Sequence, residues 1–132
     1  ASVFSLDGEW LLATDPRNEG IAGAWFQSAR PEAVKTRVPW IIQDAFPSYH
    51  GLAWYWKTFV APANSHAQGR YWLRFWAADY KAEVWVNGRP VGGHEGGETP
   101  FTLDVTDAIQ PNVTNLVAVR LLNPSHERDT AS

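Results

Sequence analysis

Two carboxyl groups, Glu95 and Glu98, flank Gly96-Gly97 beside His94, in a run that begins at Gly92-Gly93. Paired carboxyls can act as general acid and base, and hydrolysis of a glycosidic bond needs them roughly 5–10 Å apart with one pKa raised. A solvated Gly-rich loop desolvates neither group, so this pair reads as loop side chains rather than as an acid and a base. Phosphate binding fares no better, because no Gly-Lys-Ser/Thr ending follows the glycines and no helix starts after them. His94 with Glu95 and Glu98 matches no metal-ligand spacing, so no metal and no cofactor are expected. The chain has no Cys and no Gly-x-Ser-x-Gly, which removes thiolate and nucleophile-elbow chemistry.

The aromatic residues carry a longer pattern, with eight Trp in 132 residues. In strand-like runs successive side chains point to opposite faces. Trp54 and Trp56 then share one face of 53–60, and Trp72 and Trp76 share one face of 71–76. Tyr55, Phe59, Leu73, Phe75, Val84 and Val86 fall on the complementary faces and are expected to form an inter-sheet core. Trp85 points opposite Val84 and Val86, toward the same outer layer as the other Trp residues. An outward Trp layer is a contact surface in most proteins that carry one. It would be a platform for sugar rings, a surface for a protein partner, or a second core covered by segments such as 1–10 and 20–40.

The elements that would hold these residues are strands. Asn87-Gly88 between two β-rich runs is the strongest short hairpin signal, because both central residues of a type I′ turn need φ > 0. Together with 71–76, that hairpin predicts three neighbouring strands of one antiparallel sheet, followed by a loop over 94–98 that leads to the next strand after Phe101. Further strands are predicted at 9–12, 34–39 and 53–60. The last, over 114–122, is apolar enough for burial on both faces. One or two helical turns are expected over 21–26, against Gly20 and Gly23, and a single turn over 107–109. Seven or eight short strands with almost no helix predict an all-β fold, a two-sheet antiparallel β-sandwich, with a jelly roll favoured over an immunoglobulin topology by the long irregular links.

Composition sets the outer limits. Hydrophobic content of 45% supports one domain over 1–132 with a substantial core. A net charge of -3 with 11 Lys and Arg argues against nucleic acid and against an anionic membrane surface as partners. No apolar run is long enough for a membrane helix, no signal peptide is evident, and the compartment stays open. The start at Ala1 fits a mature form or a piece of a longer protein.

Several blocks, in order, resemble the N-terminal sugar-binding domain of glycoside hydrolase family 2, the β-galactosidase and β-glucuronidase family. They are Leu6-Asp7-Gly8-Glu9-Trp10, Val38-Pro39-Trp40, 53–59, and Val84-Trp85-Val86-Asn87-Gly88 with Val91-Gly92, His94, Gly96 and Thr99-Pro100-Phe101. Val117-Ala118-Val119-Arg120 with Asn123-Pro124 completes the series. The resemblance implies a jelly roll of the galactose-binding-domain type, followed in the parent hydrolase by an immunoglobulin-like domain and a barrel that carries the catalytic glutamates. On that reading this chain has no catalytic residue of its own, and its partners are carbohydrate and the remaining domains of the parent. The Trp layer then gains a further reading, as an interface with those domains. Loops of such domains reach the barrel mouth, which implies a sugar-contacting region here over 43–50 and 125–129. Its sugar-compatible residues are Asp44, Tyr49, His50, His126, Glu127, Arg128 and Asp129. An independent carbohydrate-binding module and a purely structural or interaction domain are the alternatives.

Overall fold

A computed structural model of the chain describes residues 2–5, 8–38, 51–61, 70–75, 81–95 and 101–123. Among them are nine strands and no regular helix: β1 (Ser2–Ser5), β2 (Gly8–Thr14), β3 (Val34–Val38), β4 (Gly51–Val60), β5 (Tyr71–Phe75), β6 (Lys81–Val86), β7 (Arg89–Glu95), β8 (Phe101–Asp104) and β9 (Thr114–Asn123). They form a three-stranded sheet, β1-β5-β8, and a six-stranded sheet, β3-β2-β4-β9-β6-β7. The two-sheet sandwich expected from the strand pattern is therefore present. Every pairing is antiparallel except β1 with β5, which run parallel.

The strands of 71–95 do not share one sheet, contrary to expectation. β5 pairs with β1 and β8, whereas β6 and β7 close the far edge of the larger sheet. Local alternation makes each run a strand but carries no information about which edge it joins. The Asn87-Gly88 hairpin forms as read, with φ of 53° and 80° and Val86 opposite Arg89. β7 continues through His94 and Glu95, which stand opposite Ala82 and Lys81, so these two residues belong to a strand rather than to a loop.

Alternation places Leu12, Tyr55, Val84, Val86, Val117, Val119 and Leu121 on the inner face of the large sheet, and all are buried there with Leu73. Phe59 packs against this cluster, as do Phe101 and Leu103 of β8. β9 is central, and its outer face is enclosed at Ala118, whereas Leu122 further along that face is 44% exposed, so burial on both faces holds only in part. Val34 is 41% exposed because β3 is an edge strand.

One polar group enters the end of the inner core. Asn115, 1% exposed, occupies an inward position at the start of β9. Its Nδ2 donates to the carbonyls of Gln110 and Val113, each at 2.9 Å, and its Oδ1 accepts from Gln110 N at 2.8 Å. Asn87 Nδ2 donates to the same Oδ1 and to Ala108 O, both at 2.8 Å, while Asn87 Oδ1 accepts from Leu116 N at 3.0 Å. Asn87 thus tolerates the left-handed turn and also fastens that turn to the loop before β9. The expected turn over 107–109 is present beside it, with Ile109 N bonded to Val105 O at 3.0 Å.

Candidate functional site

Trp54, Trp56 and Trp85 do share the outer face of the large sheet, with Leu11, Ala13, Leu116 and Ala118. They are not open to a ligand. Their exposures are 0%, 1% and 8%, and a segment over 15–33 lies on them, adding Trp25, Phe26, Ala29 and Ala33 to a second core. Ring contacts show how closely the layer is filled. Trp54 stacks on Trp85 with centroids 5.1 Å apart, Phe26 stacks on the same indole at 5.2 Å, and Trp25 leans on Trp54 at 6.1 Å. The Arg30 guanidinium lies 5.0 Å above Trp25. Of the readings open for this layer, the structure realises the covered core for these three residues. No ring face of theirs is left for a sugar.

The covering segment is not the helix expected over 21–26. It is a succession of turns, with Gly23 N bonded to Glu19 O and Trp25 N to Gly20 O, each at 2.9 Å, and Ala24 at φ 57°. Gly20 explains the geometry. A Cβ there would sit 2.2 Å from the Trp54 indole nitrogen, so only glycine lets this backbone rest against the ring.

Indoles bring polar N–H groups into this layer, and those of Trp54 and Trp56 find acceptors. Asp15, 1% exposed, accepts from Trp54 Nε1 at 3.0 Å, from Glu19 N at 2.7 Å and from Gly20 N at 2.9 Å. Trp56 Nε1 donates to Trp25 O at 2.7 Å. Asp15 escaped sequence reading because Asp15-Pro16 looks like an ordinary loop opening; only the Trp54 partner, 39 positions away, shows its role.

Trp72 stands apart from the others. It lies on β5 in the three-stranded sheet, half-buried, with Val3 and Asp104 as its register partners. Trp72 and Trp85 therefore belong to different sheets and cannot form the single outer layer expected of them. Asp104 beside it accepts from Arg70 at 2.9 Å and from the Thr106 hydroxyl at 2.6 Å. The Thr106 hydroxyl and backbone amide, followed by Arg70, hold its carboxyl below the usual value. Trp76, Asp44, Tyr49, His50, His126, Glu127, Arg128 and Asp129 lie outside the described residues, as does Glu98. Glu95 is exposed on β7, and His94 stacks on Phe101 at 4.4 Å. Among the described residues no cluster of His, Asp and Glu could hold a metal ion.

Among the described residues, a groove of about 620 Å³ opens at the edge of the second core. It exists because two strands part company. β2 pairs with β4 only from Leu11–Trp56 onward, yet β2 runs back to Gly8 beside β3 and β4 runs on to Val60 beside β9. In the resulting wedge the Lys57 ammonium donates to Glu9 O at 3.0 Å, supplying a donor that a paired strand would otherwise provide. Leu11 and Leu116 form the apolar wall above the buried Trp56, and Gln27, Ser28 and Thr58 stand at the rim.

A β-sandwich with a Trp-rich second layer and an Asn-Gly hairpin at its far edge defines the class. Residues 3–130 match the family model described as "Glycosyl hydrolases family 2, sugar binding domain", and the chain belongs to that family. It is 35% identical over 126 residues to a β-glucuronidase of Paenibacillus borealis, covering 92% of this chain and 21% of that protein. A β-galactosidase of Thermoanaerobacter pseudethanolicus is 29% identical, over 95% of this chain and 17% of its own length. Among solved structures, the β-glucuronidase from Ruminococcus gnavus in complex with D-glucuronic acid superposes with a TM-score of 0.80 at 32% identity, over 89% of this chain and 21% of that one. The chain thus spans about a fifth of the relatives it matches.

Proposed function

We propose that this chain is the non-catalytic accessory domain of a β-glucuronidase- or β-galactosidase-type hydrolase, 1–132 forming one β-sandwich module that packs on the catalytic domain and helps shape access of carbohydrate to it. The observation that carries this reading is the family match over 3–130, together with coverage of about a fifth of relatives that are glycoside hydrolases. The acidic side chains support it. Asp15 holds the second core, Asp104 holds Arg70 and Thr106, and Glu83 pairs with Arg120, so these carboxylates are engaged in structure. The test is an assay of the purified 132-residue chain on chromogenic β-glucuronides and β-galactosides. No turnover is expected, and turnover that co-purifies with the chain through successive columns would overturn the reading.

A further inference from the structure

We infer that Asn87 is a site of spontaneous covalent modification, a deamidation that its own hydrogen bonds hold back and that releases the turn from β9 once it occurs. Asparagine is among the thermolabile residues. The backbone nitrogen of the next residue attacks the side-chain Cγ, a succinimide ring closes, and the amide nitrogen leaves as ammonia with the proton that the attacking nitrogen sheds. Water then opens the ring at either carbonyl, giving aspartate or its β-linked isomer. No oxidant or reductant takes part. Glycine hinders the attack least, because it carries no Cβ. Asn87-Gly88 is the one Asn-Gly pair in the chain.

The two reacting groups stand in opposite states. Asn87 is an exposed residue, so water reaches it, and Gly88 N makes no hydrogen bond among the described residues. The nucleophile is therefore available. The electrophile is held. Asn87 Nδ2 is fixed on Ala108 O and Asn115 Oδ1, each at 2.8 Å, and Asn87 Oδ1 accepts from Leu116 N at 3.0 Å. All three partners lie on or just before β9, so turning the side chain onto Gly88 N breaks all three bonds.

The product cannot remake them. A carboxylate has no N–H to donate. Its oxygen would face Ala108 O and Asn115 Oδ1, two acceptors, where the amide nitrogen stood. Asn115 is 1% exposed, so this opposition falls at the buried end of the inner core, where it costs most. The β-linked isomer lengthens the backbone of a two-residue turn whose register sets Val86 opposite Arg89. Conversion is thus one-way: each opening of the turn risks a change that keeps it open.

The test is a time course of the chain at mildly alkaline pH, in native buffer and in urea, read by peptide mass spectrometry. Cleavage after glutamate releases 84–95, in which Asn87 is the only asparagine, and conversion shows as replacement of NH by O. In urea Asn87 is expected to convert before any other asparagine of the chain. In native buffer the three bonds are expected to make it about a hundredfold slower. Asn115→Ala withdraws one acceptor and is expected to speed the folded-state conversion about tenfold. Should that variant fail to fold, the parent chain in urea below its unfolding transition takes its place, and conversion is expected to rise while β9 amides stay protected. Equal rates in native buffer and urea, or conversion only together with global unfolding, overturn the three bonds as the guard. Faster conversion of another asparagine in urea overturns the site. For the product, Asn87→Asp is expected to melt below Asn87→Gly, because glycine lacks the bonds but opposes no acceptor. The reverse order overturns the one-way release.

Discussion

The two cores of this sandwich lie on opposite faces of one sheet and are built on different rules. The inner core joins two sheets mainly with aliphatic side chains, Leu12, Leu73, Val84, Val86, Val117, Val119 and Leu121, with Trp10, Tyr55 and Tyr71 among them. The outer one joins a sheet to an irregular segment through indoles, and every indole N–H buried there must meet an acceptor. A hydrocarbon core accepts any cover of the right shape. An indole core demands a cover whose polar groups arrive at fixed points, and Asp15 and Trp25 O are those points. The difference explains how a segment without helix or strand is fixed at defined points over the sheet.

The largest blow to that comparison would come from Trp54→Ala. It removes the ring that Trp25, Trp56 and Trp85 contact and strips Asp15 of a partner, so a loss of about 3–5 kcal/mol in denaturant unfolding is expected. A loss under about 1 kcal/mol would show that the outer layer is loosely packed and that the inner core carries the fold. Asp15→Ala keeps every ring in place and removes only the acceptor. Three buried or half-buried donors lose their partner, and a cost of about 2–3 kcal/mol is expected. Hydrogen exchange sharpens the point: amides 19–27 should lose protection in this variant while β9 keeps its own. Equal loss in both would mean the two cores unfold as one unit.

Asn87→Gly probes the inner core's polar end. Glycine retains the positive φ of the turn, so the expected cost of about 1–2 kcal/mol reports mainly the side-chain bonds to Asn115, Ala108 and Leu116, with a smaller share from the freer unfolded chain. A neutral result would reduce Asn87 to a turn former. The smallest effect belongs to Asp104 on the outer face of the small sheet. Its carboxyl is held below the ordinary value, so its contribution is present above the unfolded pKa and is lost as pH falls through the folded one. Asp104→Asn should therefore lower the melting temperature slightly at neutral pH and match the parent chain in acid. A gap that persists in acid would assign the effect to lost hydrogen bonds rather than to charge.

What could be read in advance was whatever depends on neighbours in the chain. Alternation identified β3, β4, β5, β6 and β9 and correctly divided Tyr55, Phe59, Leu73, Val84 and Val86 from the Trp faces, because side-chain direction in a strand follows from backbone geometry alone. The Asn87-Gly88 turn was legible for the same reason. The ordered blocks shared with family 2 sugar-binding domains identified the family, which the match over 3–130 shows.

Tertiary structure alone decided where each strand went and what covered the indoles. β5 and β6 follow one another in the chain yet join different sheets, and the choice rests on which apolar faces meet across the interior. Gly20 and Asp15 look like loop residues until Trp54 is brought against both. The wedge beside Lys57 is more remote still from sequence, since it arises where β2 leaves β4 to stay with β3. Burial, sheet partner and groove are properties of chain segments far apart in sequence, and the energies that set them are exchanged only when those segments touch.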